Sequence, residues 1–245
     1  MFELYPFITQ FNHVMILADI EGQFKIFDAG SMFRPAGFPR VSALNGQAWA
    51  IIPGKPEWVG IIAPNAATTM VYKCNLDEEG GLSGRLRFKF DGYDAVPHRE
   101  GLHKEKATEY WQTELAEDFA DVVVESATVS NLDTLGAALN ADLQCSFGGV
   151  AQNNGDLMYL SPVVLPPFKE NPFKLAERNY PVEIPYPISY QLVLQMEVPA
   201  NYEVDEMPEN INMELPERGG SFVYQFSHNG NTLNINYKMR IDQLE

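Results

Sequence analysis

His13 and Asp28 are the residues of this chain whose types and spacing suit acid–base chemistry. They flank two apolar, β-rich runs, Val14 to Ile20 and Phe24 to Phe27, which Glu21-Gly22 separates. Such a pair between two apolar runs predicts a β-hairpin with a two-residue loop. The hairpin would carry the histidine at the start of one strand and the aspartate at the end of the other.

The length of the loop decides whether the two side chains meet. With a two-residue loop, Met15 pairs with Asp28 and His13 pairs with Gly30, so His13 and Asp28 share one face, about 7–8 Å apart between backbones. A loop one residue longer would place them on opposite faces. A histidine held by a carboxylate has a fixed tautomer and a stabilised cation, as the base of a thiol or hydroxyl nucleophile requires. The simpler alternative, which spacing alone favours, is a core histidine beside a turn aspartate.

Composition excludes several classes of function. The 245 residues are 45% hydrophobic and carry a formal charge of −16, which describes an acidic globular protein. This charge repels phosphate backbones and anionic lipid, so we expect no nucleic-acid partner. No apolar run reaches about 18 residues, so we expect no membrane span.

No pattern indicates a metal or a cofactor. The acidic turns at 77–79 and 203–206 lack the alternating ligands of a calcium loop, and no glycine-rich phosphate loop is present. We therefore expect neither. Cys74 and Cys145 alternate with apolar residues, which predicts core positions rather than activated thiols. The sequence leaves open whether the two form a disulfide.

Periodicity predicts an α+β, mainly β fold: an antiparallel, sandwich-like β domain with one helix, over Gly101 to Phe119, behind the N-terminal hairpin region. Pro53-Gly54-Lys55-Pro56 suggests a division into residues 1–58 and 59–245, with a further subdivision near the proline-rich 162–187. Asn229-Gly230 predicts a final hairpin in which Phe226 opposes Leu233. Three tyrosines near the proline-rich segment suggest either a sugar-binding platform or the packing of a crossover: Tyr180, Tyr186 and Tyr190.

Short motifs along most of the chain give a family resemblance. Phe11-Asn12-His13-Val14, Phe27-Asp28-Ala29 and Leu44-Asn45-Gly46 resemble the C-terminal part of a bacterial transglutaminase-like domain of the papain-like superfamily. Later motifs resemble the all-β domain of unknown function that follows it in envelope proteins of Bacteroidetes type: Gly92-Tyr93-Asp94-Ala95, Arg99, Asn171-Pro172-Phe173, Glu177-Arg178 and Tyr180-Pro181-Val182.

The resemblance implies a function that this chain holds only in part. His13 would be the catalytic histidine and Asp28 its orienting partner, while the family's nucleophilic cysteine should precede His13, where twelve residues include no cysteine. The chain would be the C-terminal portion of a cysteine acyltransferase or peptidase, inactive alone. Its implied partners are upstream domains and a protein or peptide substrate, and its implied location is the periplasm or cell envelope.

Two further expectations follow. Without the helix that carries the cysteine, residues 1–58 should expose a large apolar patch. The alternative to an enzyme portion is a non-catalytic β-rich module for binding or assembly, in which the His13 region is a remnant. A cysteine in the upstream reading frame distinguishes the two hypotheses.

Overall fold

The computed structural model describes residues 7–161, 165, 168, 174 and 182–242. The helices are α1 (Ala95–Leu102) and α2 (Ala107–Ala116). The strands are β1 (Ile16–Ile20), β2 (Gln23–Phe27), β3 (Gln47–Ala50), β4 (Glu57–Gly60), β5 (Ala66–Leu76), β6 (Leu82–Gly92), β7 (Val122–Ser130), β8 (Leu139–Phe147), β9 (Ala151–Asn154), β10 (Leu157–Leu160), β11 (Ile188–Glu197), β12 (Ile211–Glu214), β13 (Gly220–Asn229) and β14 (Thr232–Ile241). The predicted α+β, mainly β class is confirmed.

Eight strands form one large sheet in the order β12-β13-β14-β11-β5-β6-β8-β7. All neighbours are antiparallel except β11 and β5, which run parallel, so the sheet is mixed rather than purely antiparallel. The chain reaches β11 beside the start of β5, where the Ala66 N–H donates to the Pro187 carbonyl at 2.8 Å. The parallel pair therefore joins the two hairpin-built halves of the sheet.

The large sheet buries one face and leaves the other in water, as alternating strands predict. On β6, the apolar residues Leu82, Leu86 and Phe90 are buried, whereas Arg85, Arg87 and Lys89 are exposed. The layer over the buried face consists of the helices and the β9–β10 ribbon instead of a second large sheet. Trp111 of α2, 2% exposed, stacks on Phe88 at 5.1 Å between ring centroids.

The predicted helix over Gly101 to Phe119 is wrong in its bounds, because two helices meet at a corner there. The chain turns between α1 and α2, and Gly101 lies so close to the Tyr110 ring that a side chain on Gly101 would overlap it. The His103 ring also contacts Asp133 at 3.0 Å, which holds the corner against the loop between β7 and β8. The predicted apolar stripe falls on α2, while α1 was not predicted.

The register predicted for the final hairpin is also wrong. Phe226 opposes Ile235 rather than Leu233, because Gly230 and Asn231 form the loop. Gly230 adopts a φ of 55°. The Asn231 side chain donates to the carbonyls of Val198 and Pro199, both at 3.3 Å, so a tertiary contact sets the loop position. The shift preserves which side chains face the core, because each partner moves by two positions.

The motif Gly92-Tyr93-Asp94-Ala95 links β6 to α1. Gly92 has a φ of 62°, and a Cβ there would overlap the Asn65 carbonyl, so glycine is required. Arg99 of α1 is buried and donates to three carbonyls of the loop between β7 and β8, those of Leu132, Thr134 and Ala137. Other motif residues lie outside the described residues: Asn171-Pro172-Phe173, Glu177-Arg178 and Tyr180-Pro181. Tyr180 is also part of the sugar-platform hypothesis.

The N-terminal region forms two small ribbons, β1–β2 and β3–β4, outside the large sheet. The division suggested at residue 58 falls inside β4 and stays a prediction. Large apolar side chains on this region are exposed, among them Ile8 at 88%, Val14 at 89% and Ile51 at 88%. The predicted apolar patch is therefore present. Within the described part of the chain, no helix is long and apolar enough to cross a membrane.

Candidate active site

The hairpin that carries His13 and Asp28 has the predicted register. Ile20 pairs with Gln23 and Leu17 with Ile26, and both loop residues, Glu21 and Gly22, have positive φ, as in a type I′ turn. The Asp19 carboxylate accepts the Gly22 N–H at 2.9 Å and fixes the turn. The two-residue loop sets the parity of the strands. Continued beyond the last pair, Ile16 with Phe27, this parity puts His13 and Asp28 on one face.

His13 and Asp28 are in contact. The His13 Nε2 atom lies 3.1 Å from Asp28 Oδ2, and the two side chains are 17% and 1% exposed. Nε2 is buried and lies outside the alignment of a hydrogen bond, so the contact is a close approach of the ring nitrogen to a carboxylate oxygen. Because Nε2 faces the carboxylate, Nδ1 is the ring nitrogen left for a reacting group. The structure thus brings together the two predicted site residues, while their catalytic role stays a prediction.

Asp28 is held from several directions. Its Oδ1 accepts the Gly30 N–H at 2.9 Å, and its Oδ2 accepts the Arg40 N–H at 2.9 Å. Arg34 Nη1 lies 3.1 Å from the same Oδ2 atom, and the Arg34 side chain is 8% exposed. These contacts orient the carboxylate toward His13 and neutralise its charge. Both backbone donors belong to the loop that follows β2, so the loop and the hairpin fix each other.

The surroundings of Asp28 favour its ionised form. Burial raises the pKa of Asp28, but the N–H groups of Gly30 and Arg40, the His13 ring and the Arg34 charge together outweigh burial and lower this pKa from 3.8 to about 2. Asp28 therefore remains a carboxylate through the pH range in which a histidine base operates. A permanent negative charge beside the ring stabilises an imidazolium that forms during reaction.

The lowered pKa predicts an acid-dependent loss of stability. Because the pKa in the folded protein lies below that in the unfolded chain, Asp28 stabilises the fold above pH 4 and loses this contribution as the pH falls toward about 2. After a discount for solvent screening, we expect about 1–2 kcal/mol. Urea unfolding of the wild type and Asp28→Asn at pH 5 and pH 2.5 measures it. A difference in unfolding free energy between the two proteins that does not shrink on acidification would contradict it.

Sequence reasoning missed Arg34, the cationic partner of Asp28. Arg34 lies in the irregular loop from Ser31 to Arg40, whose sequence shows neither helical nor strand periodicity. Gly30 makes room for it, because a Cβ at Gly30 would lie 3.0 Å from both Arg34 Nη2 and Asp28 Oδ1. One local pattern could have pointed to Arg34. Pro35 and Gly37 predict a turn, and a turn here brings the basic residues of this loop back toward Asp28.

His13 lines a cleft of about 740 Å³ between the two N-terminal ribbons. Its walls are mostly apolar and include Val14, Ile16, Trp49 and Ile51. Asp28 does not line this cleft, so the histidine separates the carboxylate from the open space. An apolar wall and a histidine backed by a buried charge suit a site that excludes water from a reacting thiol or amide.

Neither cysteine of the chain belongs to this site. Cys74 and Cys145 are 5% and 0% exposed in the large-sheet core, and burial raises the pKa of each thiol to about 12. Both cysteines are free. Gly84 of β6 pairs with Cys74 of β5 on one side and with Cys145 of β8 on the other, so β6 lies between the two cysteines. Two strand spacings of about 4.8 Å separate their backbones beyond disulfide reach. The predicted core positions of these cysteines are confirmed.

Comparison with known proteins identifies one region. Residues 156–244 match DUF3858, a domain of unknown function with a solved structure. This match covers β10 and the strands β11 to β14, and it places a domain of unknown function in the C-terminal part of the chain. No curated protein and no solved structure matches the chain.

Proposed function

We propose that this chain is the C-terminal portion of a transglutaminase-like cysteine acyltransferase or peptidase, in which His13 and Asp28 serve a cysteine that the chain itself does not supply. The observation that carries the proposal is the 3.1 Å contact between His13 Nε2 and a carboxylate that is 1% exposed. The apolar cleft on the other side of His13 supports it. The resemblance around the Asn12-His13 and Asp28-Ala29 motifs names the chemistry.

The roles follow from general acid–base chemistry. Nδ1 of His13 takes the proton of the incoming thiol, and the thiolate sulfur attacks the carbonyl carbon of a glutamine side chain or a peptide bond. The resulting imidazolium, stabilised by Asp28, gives its proton to the leaving nitrogen as the C–N bond breaks. An amine or water then attacks the thioester, His13 takes its proton, and the thiol is released. An amine acceptor completes acyl transfer, whereas water completes hydrolysis.

In this proposal, the thiol enters at the exposed apolar side chains around the cleft. Val14, Ile16 and Ile51 are 89%, 61% and 88% exposed, a density of apolar surface that marks an interaction site. A helix that begins with a cysteine and packs on this surface would bring sulfur to Nδ1. Its N-terminal dipole and the adjacent imidazole would lower the pKa of that thiol. By the resemblance, we propose that this assembly lies in the periplasm or cell envelope.

The test uses the product of the complete reading frame that encodes these residues. Brief treatment with iodoacetamide at pH 7 should label one cysteine other than Cys74 and Cys145, as peptide mass spectrometry reads. The same treatment should stop ammonia release from a glutamine-containing peptide or cleavage of a peptide substrate. If every rapidly labelled cysteine is dispensable for both reactions, the proposal is wrong.

The buried state of both cysteines favours a second candidate, a non-catalytic binding or assembly module. In this alternative, the exposed apolar surface of the N-terminal region is a permanent docking surface and His13 is a remnant. Residues 1–245 would then bind a glycan or peptide reproducibly, while the product of the complete reading frame shows no turnover of either substrate type. Turnover that depends on His13 would exclude this alternative.

A further inference from the structure

A second cleft is lined in part by Arg34, the cationic partner of Asp28. Its volume is about 600 Å³, and it lies between the loop after β2 and the start of the large sheet. The loop contributes Arg34 and Arg40, β5 contributes Thr68, and α1 with the residue before it contributes Asp94 and His98. The proposed reaction uses none of these residues at its reacting atoms, so this cleft needs its own explanation.

Among the described residues that line the cleft, Arg40 is the cation whose side chain has no ionic partner. Arg34 lines the cleft but pairs with Asp28 at 3.1 Å, and its Nε finds no partner among the described residues. Arg40 gives its backbone N–H to Asp28 and keeps an exposed side chain. Burial lowers the pKa of His98 to about 4, so this ring adds no charge at neutral pH.

The cleft also contains a carboxyl group, that of Asp94, which is hydrogen-bonded to β5. Asp94 Oδ2 accepts the Thr68 hydroxyl at 2.7 Å. Burial raises the pKa of Asp94, and the Thr68 hydrogen bond offsets part of that rise. An anion entering beside Asp94 favours its neutral form further, and a neutral carboxyl group can donate a hydrogen bond.

Tyrosine rings form another wall of the cleft. Tyr93 and Tyr186 stack with centroids 4.7 Å apart, and the Tyr93 hydroxyl donates to the Pro39 carbonyl at 2.8 Å. Tyr190, 4% exposed, lines the cleft from β11. These rings are held in place before any ligand arrives, so they offer a preformed surface for a flat apolar group.

We propose that this cleft binds a monocarboxylate with an aromatic or planar apolar body, the carboxylate on Arg40 and the body against the tyrosine wall. Within the described lining of the cleft, one unpaired guanidinium matches a single negative charge and pairs with a carboxylate through two parallel hydrogen bonds. A phosphate dianion fits less well, because its second charge meets no unpaired cation among these described residues. The site is separate from the His13 cleft and does not depend on acyl transfer.

The test measures binding to the full chain by isothermal titration calorimetry. N-acetyl-phenylalanine should bind, N-acetyl-phenylalaninamide should bind at least 10-fold more weakly, and inorganic phosphate should not compete. Arg40→Gln should weaken the carboxylate by about 10-fold or more, because a charge-assisted hydrogen bond is lost. The matched control Arg87→Gln, on the exposed face of β6, should leave the affinity unchanged.

Asp94→Asn gives a test of opposite sign. Because this substitution removes a like charge from the cleft, the affinity for N-acetyl-phenylalanine should stay the same or rise several-fold. A cleft that binds cations would instead lose its ligand. Thermal unfolding of each variant checks that the fold is intact. The proposal is wrong if acid and amide bind equally, if phosphate competes, or if Arg40→Gln and Arg87→Gln have the same effect.

Discussion

Replacing His13 by alanine is expected to reduce acyl transfer or hydrolysis by the product of the complete reading frame about a thousand-fold. The reason is the loss of both proton transfers, from the thiol and to the leaving nitrogen, which together supply a factor of this order. The side chain reaches the cleft from a position three residues before β1 and contributes little to the core, so the fold should remain. Steady-state release of ammonia or amine measures the rate.

The control for this experiment is His228→Ala. His228 lies on β13, is exposed, and does not line the His13 cleft. Its removal should leave the rate unchanged.

A second readout is the tautomer of His13 in the 245-residue chain by long-range ¹H–¹⁵N correlation. The contact with Asp28 predicts that the neutral ring carries its proton on Nε2 and leaves Nδ1 as the base. A proton on Nδ1 instead, or an active His13→Ala variant, would remove the proposed role.

Asp28→Ala is expected to destabilise the N-terminal hairpin by about 3–5 kcal/mol, because it leaves the Arg34 guanidinium buried without a counter-charge. The Arg34 side chain is only 8% exposed, so water cannot replace the lost carboxylate. The Gly30 and Arg40 N–H groups also lose their acceptor. Hydrogen exchange of the β1–β2 ladder amides measures the free energy of opening of this segment, and thermal unfolding measures that of the whole chain.

Asp19→Ala is the matched control, because Asp19 also accepts a backbone N–H of the same hairpin, that of Gly22, but is exposed. Its loss should cost about 1 kcal/mol or less, the value of one exposed hydrogen bond. The destabilisation caused by Asp28→Asn should fall between those of Asp19→Ala and Asp28→Ala, because the amide oxygen keeps one hydrogen-bond acceptor but lacks the charge. If Asp28→Ala costs no more than Asp19→Ala, the carboxylate does not anchor the site as described.

Local patterns were sufficient for the parts of the fold that depend on neighbouring residues. The Glu21-Gly22 turn fixed the parity of β1 and β2, so the proximity of His13 and Asp28 was predictable from a single loop length. Alternation likewise predicted the buried and exposed faces of β6, because a strand at a sheet surface has period two. The apolar patch followed from apolar runs that no other predicted element could cover.

Elsewhere, contacts distant in sequence overruled the local signal. Asn229-Gly230 predicted the wrong register because Asn231 binds the end of β11, a contact that no turn rule contains. The break between α1 and α2 depends on the close approach of Tyr110 to Gly101. In both places, a local preference of about 1 kcal/mol competes with tertiary contacts of similar or larger size.

The sequence by itself determined the acidic, mainly β character of this protein, its two core cysteines and the strand parity that allows a histidine to meet an aspartate. Only the tertiary structure decided that Arg34 pairs with the aspartate, that β11 runs parallel to β5, and that Arg40 and Asp94 line a second cleft. The physical reason is the range of the interactions. Turn parity and side-chain alternation act over a few residues, whereas ion pairs and strand neighbours join segments whose separation leaves no period in the sequence.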